Sequence, residues 1–265
     1  MALAPQSDRR WQNWGMGWLY DVLTFVGEVT ILLVQGVRHV FSRPFEWREL
    51  VNQMAFVGAS SVPITALTTM SSGAVIALYS AQILREYGAS SLAGGAVTLS
   101  VVRELAPVLA GIMVAARCGS AMAAEIATMA VTEQIDALRS LRVSPIRYLV
   151  VPRLLACVTM LPILAVVGMY SGVIGGYGVA VGLSGIPHGT FIRSLERFSS
   201  LDDVTGGMIK TVVFGLIVAL VACQQGMRAR GGAVGVGHAT TRTVVLTMVL
   251  IYVANYFLTD LLFAR

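Results

Sequence analysis

Charge is what this 265-residue chain has least of: 12% of its residues are Asp, Glu, Lys or Arg, against about 25% in a soluble domain. With 56% hydrophobic residues and a mean hydropathy of +0.75, that scarcity excludes a chain wetted on every side. Lysine is nearly missing. Lys210 is the only one, so the net charge of +5 is an arginine charge. In a membrane chain such an excess records orientation, and no basic run interleaved with aromatics supports nucleic-acid binding. The cysteines, Cys118, Cys157 and Cys223, lie far apart with no CxxC. They indicate neither a disulfide framework nor a metal site, and are read as small packing residues.

Catalytic signatures are missing too. No GxxxxGK[ST] occurs, and Lys210 lacks the glycine that such a phosphate loop places before its lysine. Gly231-Gly232, Gly235 and Gly237 follow no strand and lack dinucleotide-binding spacing, so they are read as a flexible turn. His39, His188 and His238 are isolated, and neither HExxH nor GxSxG is present. The expectation is a chain that is no enzyme and binds no cofactor or metal by itself. At the N-terminus, Arg9-Arg10 precedes Trp-rich amphipathic sequence rather than a short apolar core, so no cleavable signal is expected.

Long uncharged runs make up most of the rest. They predict an all-α integral membrane protein, with an N-terminal interfacial amphipathic helix and elbow over 1–49 and a five-span domain over 50–265. Trp11, Trp14, Trp18 and Tyr20 supply headgroup-depth aromatics, while Val22, Phe25, Val29 and Leu32 recur at helical spacing. Pro44 should break that helix, with Phe45-Glu46-Trp47 as a second anchor and an elbow before Pro63. Spans are expected at about 62–84, 94–117, 148–181, 206–226 and 243–263. Gly168, Gly172 and Gly176, four apart, form a small-residue seam that would admit a close neighbour.

Between the second and third spans, about 120–142, lies a polar segment expected to form one cytoplasmic helix. Thr132 would cap it, Asp136 and Arg139 would pair, and Ile135 and Leu138 would share an apolar side. Glu125, Glu133, Asp136 and Arg139 are its candidate contacts to another protein. Positive charge gathers in 117–153 and 228–242 while 182–203 is balanced. The first two loops are therefore assigned to the cytoplasm with the N-terminus, and the C-terminus to the outer side.

Inside the second span sit Arg103 and Glu104. An unpaired charge there costs about 2.5–3.5 kcal/mol on insertion scales. They are expected to line a cavity, with Asp203 and Lys210 at the start of the fourth span as weaker candidates.

Several blocks resemble a known family. Arg103-Glu104-Leu105-Ala106-Pro107, Ala116-Arg117-Cys118-Gly119-Ser120-Ala121-Met122, Thr132-Glu133-Gln134-Ile135-Asp136-Ala137-Leu138 and Gly235-Val236-Gly237-His238-Ala239-Thr240-Thr241-Arg242 are similar to the MlaE/YrbE permeases. These are membrane subunits of Mla- and Mce-type lipid ABC transporters, and the likeness covers about residues 40–263. The resemblance implies an inner-membrane, multi-pass permease paired with a second copy or paralogue. It implies a cytoplasmic ABC ATPase pair, carrying the ATP and magnesium, docked on the 120–142 segment. MCE-domain substrate-binding proteins would cap the outer side. Membrane lipid would occupy an outward-opening pocket at the dimer interface, lined by Ile83, Leu84, Tyr87, Arg103, Glu104 and Leu105. A stand-alone secondary transporter or channel, or a non-transporting scaffold for outer-side lipid-binding proteins, is the alternative; no internal repeat of the kind the first would need is evident.

Overall fold

In a computed structural model, residues 13–40 and 47–263 are described. Arg9-Arg10, Trp11, Pro44 and the Phe45-Glu46 half of the second anchor lie outside them. Every regular element among the described residues is helical: α1 (Asn13–Val40), α2 (Trp47–Val57), α3 (Val62–Glu86), α4 (93–131), α5 (Gln134–Ser140), α6 (Ile146–Gly182), α7 (His188–Phe198), α8 (Leu201–Met227) and α9 (Gly232–Phe263). The elbow falls where the sequence put it. α2 stops at Val57, a short 3₁₀ turn covers Ala59–Ser61, and Pro63 sits in the first turn of α3, where its missing N–H is harmless.

α4 and α6 are not uniform α-helices. Each begins or is interrupted by a π-helical turn: Val101–Leu105 and Ala115–Gly119 in α4, Ile146–Val150 at the start of α6. Two of the three end two residues before a proline, Pro107 and Pro152. A proline ring crowds the carbonyl four residues earlier and offers it no N–H, so widening the preceding turn relieves the clash.

α6 is the central post, packed on α3 along one side and α8 along another. The glycine seam makes the first contact possible. A side chain at Gly73 would strike the Gly172 backbone, one at Gly172 would meet Val101 and Thr69, and one at Gly176 would meet Val97. Thr69 and Ser171 hydrogen-bond across the same seam at 2.7 Å. α9 closes the bundle against α8 and the last third of α4, burying Ala239, Thr243, Thr247 and Ile251.

The bundle has two distinct ends. One carries α7, whose Ser194 hydroxyl accepts from the Gly95 N–H at 2.8 Å, an orphan donor in the first turn of α4. The other end carries the α8–α9 turn and α5, and most of the arginines. α1 belongs to this basic end. Its apolar window Val22–His39 is long enough to make it a sixth candidate span by length and composition, where five spans and an interfacial helix were expected. Among the described residues, Gln224 and Arg228 bind Glu28 and Leu154 meets Gly36, contacts that lie at this end. From residue 22 to 36 a helix advances about 21 Å, yet α1 does not climb along α6 or α8.

Four expectations are corrected. The 120–142 segment is not one helix, since residues 120–131 continue α4 and the chain then breaks before α5. Thr132 is therefore the C-cap of α4, its hydroxyl donating to the Thr128 carbonyl, and the break is made by Glu133 with φ of 59°. The expected 228–242 loop shrinks to a short turn, because α9 starts at Gly232 and takes up Gly235 and Gly237. The 182–203 loop, expected on the outer side, contains a helix, α7, that buries Phe191.

Candidate functional site

Pro107 shapes the site through what its backbone lacks. Having no N–H, it leaves the Arg103 carbonyl, four residues earlier, without its α-helical donor. Lys210 of α8 fills that place: its Nζ donates to the Arg103 carbonyl at 2.8 Å, to Glu104 Oε1 at 2.8 Å and to Thr259 Oγ1 at 2.7 Å. All three ammonium hydrogens have acceptors. Lys210 is 0% exposed, which such complete pairing permits.

Glu104 gathers the remaining donors. Asn255 Nδ2 donates to its Oε2 at 2.8 Å, and Thr259 Oγ1 lies 2.9 Å from its Oε1. Its neighbour Arg103 turns the other way and meets Asp203, with Nε and the second guanidinium nitrogen 2.7 and 2.6 Å from Oδ1. Asp203 has a second duty. Its Oδ2 accepts from the Ser200 N–H at 2.8 Å, completing a capping box that starts α8. The ring of Phe263 lies under both cations, 4.8 Å from the Arg103 guanidinium and 5.1 Å from the Lys210 ammonium.

Two glycines let these groups meet. A side chain at Gly206 would hit the Phe263 ring, and one at Gly207 would hit the Val102 carbonyl and Met169. The outcome is two acids and two bases joined across α4, α8 and α9, with no formal net charge. The quartet is asymmetric. The side chains of Lys210 and Asp203 are 0% and 4% exposed, whereas those of Arg103 and Glu104 are 36% and 38% exposed. Only the α4 pair can meet a ligand arriving from outside the subunit.

The sequence candidates distribute unevenly. Arg103, Glu104, Asp203 and Lys210 form one bonded group, so the two weaker candidates belong with the stronger ones. Leu105 and Leu84 are half-buried against the core, while Ile83 and Tyr87 stand exposed near the end of α3. On the basic end, Asp136 and Arg139 pair at 2.9 Å on the exposed side of α5, and Ile135 is buried beneath them. Glu133 is exposed on the turn. Glu125 differs: it is bound at 2.6 Å to Arg153, a buried arginine that also donates to the Leu149 carbonyl.

Asn255, Thr259, Phe263 and Ser200 were missed. The signal for the first three was present, since they recur every fourth residue and share one face of α9. Asp203 and Lys210, seven apart, likewise share a face of α8 and carry the signs opposite to Arg103 and Glu104. Among the described residues no three His, Cys, Asp or Glu side chains converge as a metal site.

A family model described as Permease MlaE matches residues 50–261. A probable ABC transporter permease protein of Rickettsia typhi is 40% identical over 256 residues, covering 92% of this chain and 99% of the relative. A protein of the same description from Synechocystis is 43% identical over 228 residues, 85% and 86% of the two chains. One from Pyropia yezoensis is 36% identical over 214 residues, 81% of each.

Proposed function

The chain belongs to the MlaE permease family, and from that premise we propose that it is the membrane subunit of an ATP-driven lipid transporter. It is a multi-pass ABC transporter permease; the lipid cargo, the partners and the pocket are our reading. Two copies, or this chain and a paralogue, would enclose an outward-opening lipid pocket between them. A cytoplasmic ATPase pair would bind the ATP and magnesium, and MCE-domain proteins would receive or deliver lipid outside.

The observation that carries this reading is the half-open quartet. Its closed half, Lys210 and Asp203, anchors α8 to α4. Its open half presents the Arg103 guanidinium, whose planar fork suits a phosphate or carboxylate headgroup. A headgroup arriving there competes with Asp203 for Arg103, while Glu104 stays tethered to Lys210, Asn255 and Thr259. Leu84, Leu105, Ile83 and Tyr87 would supply the wall for acyl chains.

Orientation follows the positive charge. The arginine-rich end is read as cytoplasmic, the α7 end as outer, and the chain as an inner-membrane protein with its N-terminus inside and C-terminus outside. α1, with those contacts at the basic end, is read as lying along the membrane interface rather than crossing it. Glu133, Asp136 and Arg139, standing out from α5, would be the grip for the ATPase. Glu125 is read as a brace for Arg153 next to that grip. Motion of α5 would then reach the quartet along α4, which is continuous from Val131 back to Arg103.

The test is lipid transfer in vesicles containing the permease with its ATPase. R103A/E104A should assemble with the ATPase yet move lipid at least about tenfold more slowly, the loss expected when about 1.4 kcal/mol of headgroup binding disappears. E133R/D136R should lose the ATPase on copurification. Normal transfer by the alanine variant, or transfer by the permease alone, would overturn the reading in favour of a scaffold or a stand-alone carrier.

A further inference from the structure

A cavity of about 860 Å³ opens at the basic end between α1 and the turn joining α8 to α9. Arg228, Arg230, His238 and Arg242 line it, and among the described residues no Asp or Glu does. Arg228 is held by Glu28 at 3.4 Å. Among the described residues, Arg230 and Arg242 have no ion-pair partner. His238 and Arg242 are four apart on α9, so a single helix face presents both.

Gln225 and Thr241 aside, the rest of the wall is apolar side chain and small residues. Val22 and Phe25 of α1 face Val245 and Leu246 of α9 across the opening. Beyond Val245 the same flank of α9 continues with exposed Val249, Tyr252 and Val253. A cationic end thus passes into an apolar track that leads along a spanning helix. An acidic peptide would use the cationic end and leave the track empty; an amphiphile uses both. Arg230 and Arg242, without an ion-pair partner among the described residues, also favour a net-anionic phosphodiester over a zwitterionic one that brings its own ammonium.

We infer that this cavity binds an anionic phospholipid of the leaflet at the basic end. Its phosphodiester lies between Arg230 and Arg242, and one acyl chain runs past Val22, Phe25 and Val245. The site is separate from the four-charge quartet, which lies toward the other end of α8 and α9, and it stands whether or not the quartet handles cargo. Lipid held there ties α1 to the first turns of α9.

The purified full chain in neutral detergent, titrated with dioleoylphosphatidylglycerol or dioleoylphosphatidylcholine, tests this by native mass spectrometry and thermal unfolding. Phosphatidylglycerol should be retained and raise Tm, and phosphatidylcholine should do neither. R230Q/R242Q should weaken retention by about tenfold to thirtyfold, at about 1 kcal/mol per arginine, whereas R230K/R242K should keep most of it. Should the glutamine pair fail to fold, Arg230→Gln and Arg242→Gln singly should each cost about fivefold. Unchanged retention in these variants would overturn the inference. So would inorganic phosphate raising Tm as far as the lipid does, which would make the ligand a free anion. Loss of ATPase copurification from R230Q/R242Q with lipid retention intact would make the cavity a protein-docking site instead.

Discussion

Lys210 donates to the backbone carbonyl of Arg103 at 2.8 Å, and that carbonyl is the one Pro107 strips of its helical donor. A proline on one helix and a lysine on another are thereby a matched pair. The lysine supplies the hydrogen bond that the proline removes.

The match predicts a coupling. Lys210→Met should lower stability by on the order of 3 kcal/mol, because Glu104 and the Arg103 carbonyl both lose their cation. In a Pro107→Ala background, residue 107 regains an N–H for that carbonyl. The same lysine substitution should then cost about 1 kcal/mol less. Thermal unfolding of the four proteins in detergent measures this, and strict additivity would show that Pro107 and Lys210 are unrelated.

Arg103 and Asp203 should couple more weakly, since Arg103 is over a third exposed. A cycle of Arg103→Gln and Asp203→Asn should give an interaction of about 0.5–1 kcal/mol. Asparagine retains an oxygen to accept from Ser200, so the cap on α8 should persist. Loss of the whole helix start on circular dichroism would mean that the carboxylate's charge, rather than its position, makes that cap.

Backbone proximity along the α3–α6 seam sets a pair of opposite outcomes. Gly73→Ala should destabilise by about 1–3 kcal/mol, because its methyl meets the Gly172 backbone, which cannot swing away. Gly178→Ala, on the same helix as Gly172 but facing open space, should instead stabilise by up to about 1 kcal/mol. Equal effects at the two positions would refute the close approach.

Glu133 holds a left-handed backbone at φ 59°, where a side chain costs about 1–2 kcal/mol. Glu133→Gly should therefore leave stability equal or higher. If the carboxylate grips the ATPase, the same variant should retain less of it. A drop in Tm together with full ATPase retention would reverse both assignments.

Much of this was legible before any coordinates. Uncharged runs located the long helices, although the helix expected at 94–117 runs on to Val131 and the one expected at 243–263 begins at Gly232, and Pro63 and the glycine seam marked a helix start and a contact. What failed was local. The break at Thr132-Glu133 looked like a cap because threonine followed by acidic and amide residues suits either a helix start or a helix stop. α7 escaped notice because its burial depends on Gly94 and Gly95, about a hundred residues away. Arg103 and Glu104 were visible as charges in oil, but their partners were not identified, because partner choice is set by how α8 and α9 lie beside α4.

The quartet's zero formal sum has an electrical consequence. Moving one elementary charge through a membrane potential of about 100 mV involves about 2.3 kcal/mol, but these two acids and two bases are bonded as pairs at 2.6 and 2.8 Å and travel together. Carrying them across the field as a unit, without rotation, involves no net work. Turnover with a zwitterionic cargo should be the same in polarised and depolarised vesicles, and any voltage dependence that appears should be carried by the cargo's own charge.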